Sequence, residues 1–150
     1  MIGSMKTGPE VPNCYYRVSV KALIINDEGK ILVVNERGTG WDLPGGGLDW
    51  GEDTLTALKR ELREELGCSA KIDEQPIMIA PSNINSLNQH VLWIVYRAEV
   101  DPAQITATDE VQDTCFMTLD EFQANEEKYD FFDWESPIDF WSELQALIAR

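Results

Sequence analysis

Apolar and polar positions change period several times along the chain, and each change marks an element. From Tyr15 onward, Val18, Val20, Ala22 and Ile24 alternate with Ser19, Lys21 and Leu23. A period of two predicts a strand buried on one face. Asn26-Asp27-Glu28-Gly29 is turn chemistry, ending in a glycine that can take positive φ. Ile31-Leu32-Val33-Val34 follows as a short buried strand, so the two runs predict a β-hairpin. Residues 38–51 form a glycine-rich loop containing Trp41 and Pro44. The period then becomes helical: Leu55, Leu58, Leu62 and Leu66 recur at three, four and four, one apolar stripe. Asp53 is placed to cap that helix, and Gly67 to stop it. Lys71–Ala80 and His90–Val100 read as strands, with a largely polar loop from Pro81 to Gln89 between them. Val91–Tyr96 is almost continuously apolar, which predicts a central strand covered on both faces. Val111–Met117 reads as a further strand, and a short helix opens at Leu119 behind a Thr118 cap. A last helix runs from about Ser136 to Ile148, with Ile138, Trp141, Leu144 and Leu147 on one side. Residues 1–13, with Gly3, Gly8, Pro9 and Pro12 and no periodicity, read as a flexible arm, in which Met5 is an alternative start. Residues 14–150 are then one domain. Interleaved strands and helices give an α/β or α+β class, with one mixed sheet between helical layers.

Composition narrows the partners. The chain has 150 residues, of which 43 % are hydrophobic, enough for one compact core. Its 12 Lys+Arg against 27 Asp+Glu leave a formal net charge of −15. A broad nucleic-acid surface or docking on anionic lipid is disfavoured by that balance. No apolar run reaches membrane-spanning length, and Met1–Lys6 lacks a hydrophobic signal core, so a cytoplasmic location is expected. Cys14, Cys68 and Cys115 are an odd number without CxxC spacing. They read as buried filler, not as a disulfide framework or zinc site. His90, the only histidine, reads as structural.

The acidity becomes informative in residues 45–68. On a helical wheel with Leu55 at zero, Glu61, Glu64 and Glu65 fall at about 240°, 180° and 280°, beside the leucine stripe. Three anions on one patch repel by about 1 kcal/mol or more per close pair. A divalent cation removes that penalty. The plainer alternative is a solvated acidic face with Lys59, Arg60 and Arg63 interleaved as ion-pair partners. Gly45-Gly46-Gly47 before the helix lets backbone approach a ligand closely. These glycines fit neither a P-loop nor a dinucleotide-binding fingerprint.

The full spacing is Gly46, five residues, Glu52, seven residues, Arg60-Glu61-Leu62, one residue, Glu64-Glu65, one residue, Gly67, then Cys68. It resembles the signature box of the Nudix hydrolases. Every fixed charged or glycine position is met, and Cys68, smaller than the usual aliphatic residue, is the one departure. Leu43-Pro44 and the order of strands also look like this family. The resemblance implies an α/β/α sandwich with a mixed β-sheet between helices. It implies Glu64 and Glu65 as principal Mg²⁺ ligands, with Mn²⁺ as a substitute and a backbone carbonyl near Gly46 completing the set. Glu61 would be a further ligand or the general base, and Glu52 and Arg60 would fix the loop against the helix. The implied substrate is a nucleoside diphosphate derivative, attacked by water at phosphorus.

Family members often add an acidic residue from a later loop. Asp109, Glu110 and Asp113 qualify, and Glu110 is the choice here. Trp41 either stacks a base or packs in the core. Arg37 either contacts a phosphate or forms a surface ion pair. Trp50 reads as a loop anchor and Trp93 as core. Tyr129, Phe131, Phe132 and Trp134 either pack the last helix or line a nucleoside pocket. Pro81, 14 residues after Gly67, lies near the place of a proline associated in the family with ADP-ribose hydrolysis. Oxidised or unusual (d)NTPs are an equal substrate class, while removal of RNA 5′ ends is disfavoured by the charge. The resemblance also carries an expected homodimer. The alternative function is a non-catalytic nucleotide-binding Nudix module, which would be expected to lose box carboxylates. Here Glu52, Glu61, Glu64 and Glu65 are all kept.

Overall fold

A computed structural model of the chain describes residues 16–36, 40–84, 90–126 and 139–150. The expected arm at 1–13, Cys14, Arg37 and the aromatic cluster at 129–134 lie outside the described residues. Seven strands and three α-helices occur among the described residues, in the order β1 (Tyr16–Leu23), β2 (Ile31–Asn35), β3 (Trp41–Asp42), β4 (Gly45–Gly47), α1 (Thr54–Leu66), β5 (Lys71–Ile84), β6 (His90–Glu99), β7 (Asp113–Met117), α2 (Leu119–Glu126) and α3 (Phe140–Ile148). A mixed four-stranded sheet has the order β4-β1-β6-β5, with β1 parallel to β6 and the other pairs antiparallel. An antiparallel sheet, β3-β2-β7, stands beside it.

Side-chain alternation explains the layering. Val20, Ala22 and Ile24 of the first run, Leu32 and Val34 of β2, and Tyr96 and Ala98 of β6 form one cluster with Leu58, Leu62 and Leu66 of α1. Leu23, Ile31, Val33, Val91, Trp93 and Val95 form the opposite cluster with Phe122 of α2 and Phe140, Leu144 and Leu147 of α3. Strands with both faces covered therefore lie between helices, an α/β/α arrangement. Each leucine buried under α1 contributes roughly 2 kcal/mol.

The caps of α1 follow from sequence. Asp53 accepts from the Thr56 N–H at 2.9 Å, and Gly67 closes the helix at φ +65 with its N–H on the Arg63 carbonyl. Thr118 and Glu121 exchange backbone–side-chain hydrogen bonds, a capping box at α2.

Several expectations change. The turn after β1 forms, with Asn26 Oδ1 accepting from Glu28 N–H and Lys30 N–H. The strands it joins then part into different sheets, bridged at Ile25–Ile31 by two backbone bonds, Leu32 N–H to the Ile24 carbonyl and Asn26 N–H to the Lys30 carbonyl. The polar face of β1 is not solvated: Ser19 and Lys21 are buried. β5 continues through the expected loop start at Pro81 to Ile84, as an edge strand whose irregular register accommodates Pro76. α3 is capped by Asp139, later than expected, with Ser142 N–H on its carboxylate.

Candidate active site

The glycine loop and α1 are locked together by close approach. In β4, Gly45 and Gly46 pair with Lys21 and Val20 of β1. Gly45 sits at φ +131, and a Cβ there would lie 2.1 Å from the Val20 carbonyl oxygen. A Cβ on Gly46 would lie 2.5 Å from the Glu61 carboxyl carbon. Only glycine lets this backbone rest on the helix carboxylate.

Arg60 holds the surrounding charges. Its guanidinium meets Glu52 at 2.9 Å, Glu61 at 2.8 Å, Glu64 at 3.3 Å and Asp49 at 3.4 Å, and donates to the Gly47 carbonyl at 3.3 Å. The hydrogen bond to Glu52 above all, and then those to Glu61, hold Arg60 well above the ordinary guanidinium value against the cost of burial. Burial pushes the Glu61 carboxyl up, and Arg60 opposes that shift.

Three carboxylates converge. One oxygen each from Glu61, Glu64 and Glu110 lie within 4.8 Å of one another. They come from two turns of α1 and from the loop before β7. A cleft of about 420 Å³ opens beside them, lined by Glu36, Gly46, Gly47, Glu61 and Glu110. An all-oxygen, anionic donor set fits a hard divalent ion such as Mg²⁺. Glu65, expected as a principal ligand, is not one of these three among the described residues. It is buried, and its Oε2 accepts from the Gly45 N–H at 2.7 Å. Burial, and next a hydrogen bond with Glu36, push its carboxyl up. The wheel position explains the difference: Glu65 lies on the edge of the leucine stripe, under the loop. The Gly46 carbonyl receives the Ser19 hydroxyl at 3.3 Å.

A sequence model of the NUDIX domain matches residues 15–135. This chain belongs to the Nudix family. Its Nudix relatives include an RNA pyrophosphohydrolase of Ruthia magnifica subsp. Calyptogena magnifica, 46 % identical over 55 residues, which cover 36 % of this chain and 31 % of that protein. An RNA pyrophosphohydrolase of Acidiphilium cryptum is 43 % identical over 99 residues, covering 55 % of this chain and 60 % of that protein. The chain thus spans about a third to three-fifths of the length of these curated relatives. Among solved structures, a NUDIX hydrolase from Nitrosomonas europaea superposes with a TM-score of 0.66 at 26 % identity, covering 88 % of this chain and 90 % of the other. The MutT protein from Methanosarcina mazei Go1 gives 0.63 at 23 % identity over 80 % of this chain and 96 % of its own, a likeness of fold.

Within the Nudix domain the remaining candidates divide. Trp41 is half-buried and packs against the cluster beneath α2 and α3, the core alternative. Trp50 is fully exposed and anchors nothing, contrary to expectation, because the turn closed by Glu52 N–H on the Asp49 carbonyl points it outward. Trp93 and Cys68 are buried, and His90 is exposed beside the Tyr16 ring. Glu36 and Asp49 were not singled out by sequence. Asp49 lies inside the box at a position with no fixed residue type. Glu36 follows a strand with no spacing signal of its own.

Proposed function

We propose that this chain hydrolyses a diphosphate linkage in a nucleoside diphosphate derivative, using Mg²⁺ or, in its place, Mn²⁺. The observation that carries the reading is the convergence of Glu61, Glu64 and Glu110 beside a glycine loop in which a Cβ at Gly45 would meet the β1 backbone and one at Gly46 would displace the Glu61 carboxyl. Those carboxylates and the Gly46 carbonyl would hold the ion, while Glu65 anchors the loop presenting that carbonyl. When bound, the ion neutralises charge on the phosphoryl oxygens and acidifies bound water. Arg60 keeps Glu61 oriented and Glu52 closed against the loop. Glu61 serves either as one of those ligands or, in place of that, as the general base that takes a proton from the attacking water. The leaving group is a nucleoside monophosphate or pyrophosphate.

The substrate class favoured is a small nucleotide, either ADP-ribose and sugar nucleotides or (d)NTPs. Arg37 and Trp41 are the proposed substrate contacts, Arg37 to a phosphate. Retention of all four box glutamates favours an enzyme over a nucleotide-binding module without turnover. A second reading, pyrophosphate removal from RNA 5′ ends, is favoured by the names of the curated relatives. The net charge of −15 opposes it, since little basic surface is left to follow a phosphate backbone. The same reading takes residues 14–150 as one catalytic domain, working as a homodimer in the cytoplasm. No helix among the described residues is long and apolar enough to cross a membrane. A nucleotide panel including a 5′-triphosphorylated oligonucleotide, scored for product identity with Mg²⁺ and Mn²⁺, tests the assignment. Release of monophosphate or pyrophosphate supports it. No turnover of any member contradicts the catalytic reading.

A further inference from the structure

Lys21 is a charged side chain on the polar face of β1, yet that face is covered and the side chain is buried. It lies midway along β1, on the face packed by Leu23 and Trp93, and is 5 % exposed. Its ammonium is 5.2 Å from the centroid of the Trp93 ring. An ammonium buried this deeply is costly unless its donors are used. All three are used: Nζ donates to Asp42 Oδ2 at 2.8 Å, to the Leu43 carbonyl at 3.2 Å and to the Gly45 carbonyl at 3.3 Å. One cation thus gathers the segment from Asp42 to Gly45. Burial opposes its charge, but Asp42 and Glu65 outweigh that and hold Lys21 above its ordinary value.

The gathered segment leads into the site. Gly45 is held at both ends, its carbonyl by Lys21 and its N–H by Glu65. The next residue, Gly46, rests against Glu61 with no room for a side chain. The peptide between Gly45 and Gly46 is therefore oriented through its carbonyl by the ammonium, and the preceding peptide through the Gly45 N–H by the Glu65 carboxyl. An apolar residue at position 21 would suit the packing around Trp93, but would leave the Leu43 and Gly45 carbonyls without this donor.

We propose that Lys21 is a positioning residue of the site: it sets the Asp42–Gly45 segment so that the Gly46 backbone stands in fixed register with Glu61 and Glu64. The inference rests on the metal-dependent reading above. Its test separates register from stability. Lys21→Met strands Asp42 beside a neutral chain and should lower the melting temperature. Lys21→Met with Asp42→Asn removes both charges and should recover most of it, since Asn still accepts from the Leu43 N–H that Asp42 Oδ1 now receives. Mn²⁺ affinity, read by electron paramagnetic resonance well below the lowest midpoint, should still fall about tenfold or more in the double variant. Its kcat should fall by a similar factor, with KM changed far less. A double variant of wild-type melting temperature that binds Mn²⁺ and turns over like wild type overturns the proposal. Amide exchange of the same double variant, in which the ammonium is gone, supplies a readout that needs neither metal nor substrate. Gly45 N–H should exchange about tenfold faster while α1 amides keep their protection. Unchanged Gly45 exchange overturns the role of Lys21, whereas wild-type protein that neither binds Mn²⁺ nor turns over a nucleotide overturns the metal-dependent reading.

Discussion

Gly46 shows how little freedom the site has. The space a methyl group would need is already taken by the Glu61 carboxyl. Gly46→Ala must therefore push Glu61 away from Arg60 and from its neighbours Glu64 and Glu110. A displacement of about 1 Å at a catalytic group costs on the order of 100-fold in rate. Turnover of Gly46→Ala should fall by about that factor with the melting temperature little changed, and steady-state kinetics beside thermal melts check both. The box glutamates and Gly46 were legible because their spacing is fixed. Glu110 was legible only as one of three acids in a short loop, since nothing local distinguishes it from Asp109 or Asp113. The burial of Lys21 is not legible, because alternation alone does not say whether a second layer covers the polar face. The inward turn of Glu65 escaped the wheel for a related reason. Its angle places it between the acidic patch and the leucine stripe, and the Gly45 N–H decides the outcome.

Helix α1 carries three of the carboxylates and was the most legible element. Its leucine stripe, its Asp53 cap and its Gly67 stop all stand in the structure as the sequence implies. The cap makes a pH-dependent expectation. Hydrogen bonds from the Thr56 N–H and then the Thr56 hydroxyl hold Asp53 below its ordinary value of 3.8. A carboxylate whose folded value is depressed stabilises the fold fully above the ordinary value, and that contribution is lost as pH falls through the folded value. Asp53→Ala should melt at a lower temperature than wild type at neutral pH. The gap should narrow as the pH is taken below 3.8, and melts at stepped pH check it. β3 and β4 were read as loop because two or three residues, three of them glycine, have no period to detect. They exist through pairing with β1 and β2, which is tertiary information. The hairpin was read too simply for the same reason: the turn is local, but the sheet each strand enters is set by partners far along the chain.

At the scale of the whole molecule the net charge is −15, and among the described side chains every acidic one but Glu65 is at least partly exposed. Carboxylates packed together, as at Glu61, Glu64 and Glu110, would couple stability to cation binding. An ion held by the folded site and not by the unfolded chain stabilises by about 2.7 kcal/mol at a hundredfold excess over Kd. For a chain of this size the melting temperature should rise by about 5 °C or more on adding Mn²⁺ or Mg²⁺ to that level. Calcium-free, chelator-treated protein titrated with each ion in a thermal-shift experiment checks this, and the rise should vanish in Glu110→Gln. The same net charge sets the expectation for substrates, favouring a compact polyanion bridged by an ion over a long one that needs basic surface. The reaction is proposed to run on the carboxylates of Glu61, Glu64 and Glu110. The most direct test is the Mg²⁺-dependent rate of Glu64→Gln against wild type on the best substrate of the panel, with circular dichroism to confirm the fold. Loss of turnover by about 100-fold or more in a folded protein is expected. A rate within about threefold of wild type would contradict the assignment, since that is under 1 kcal/mol in the barrier.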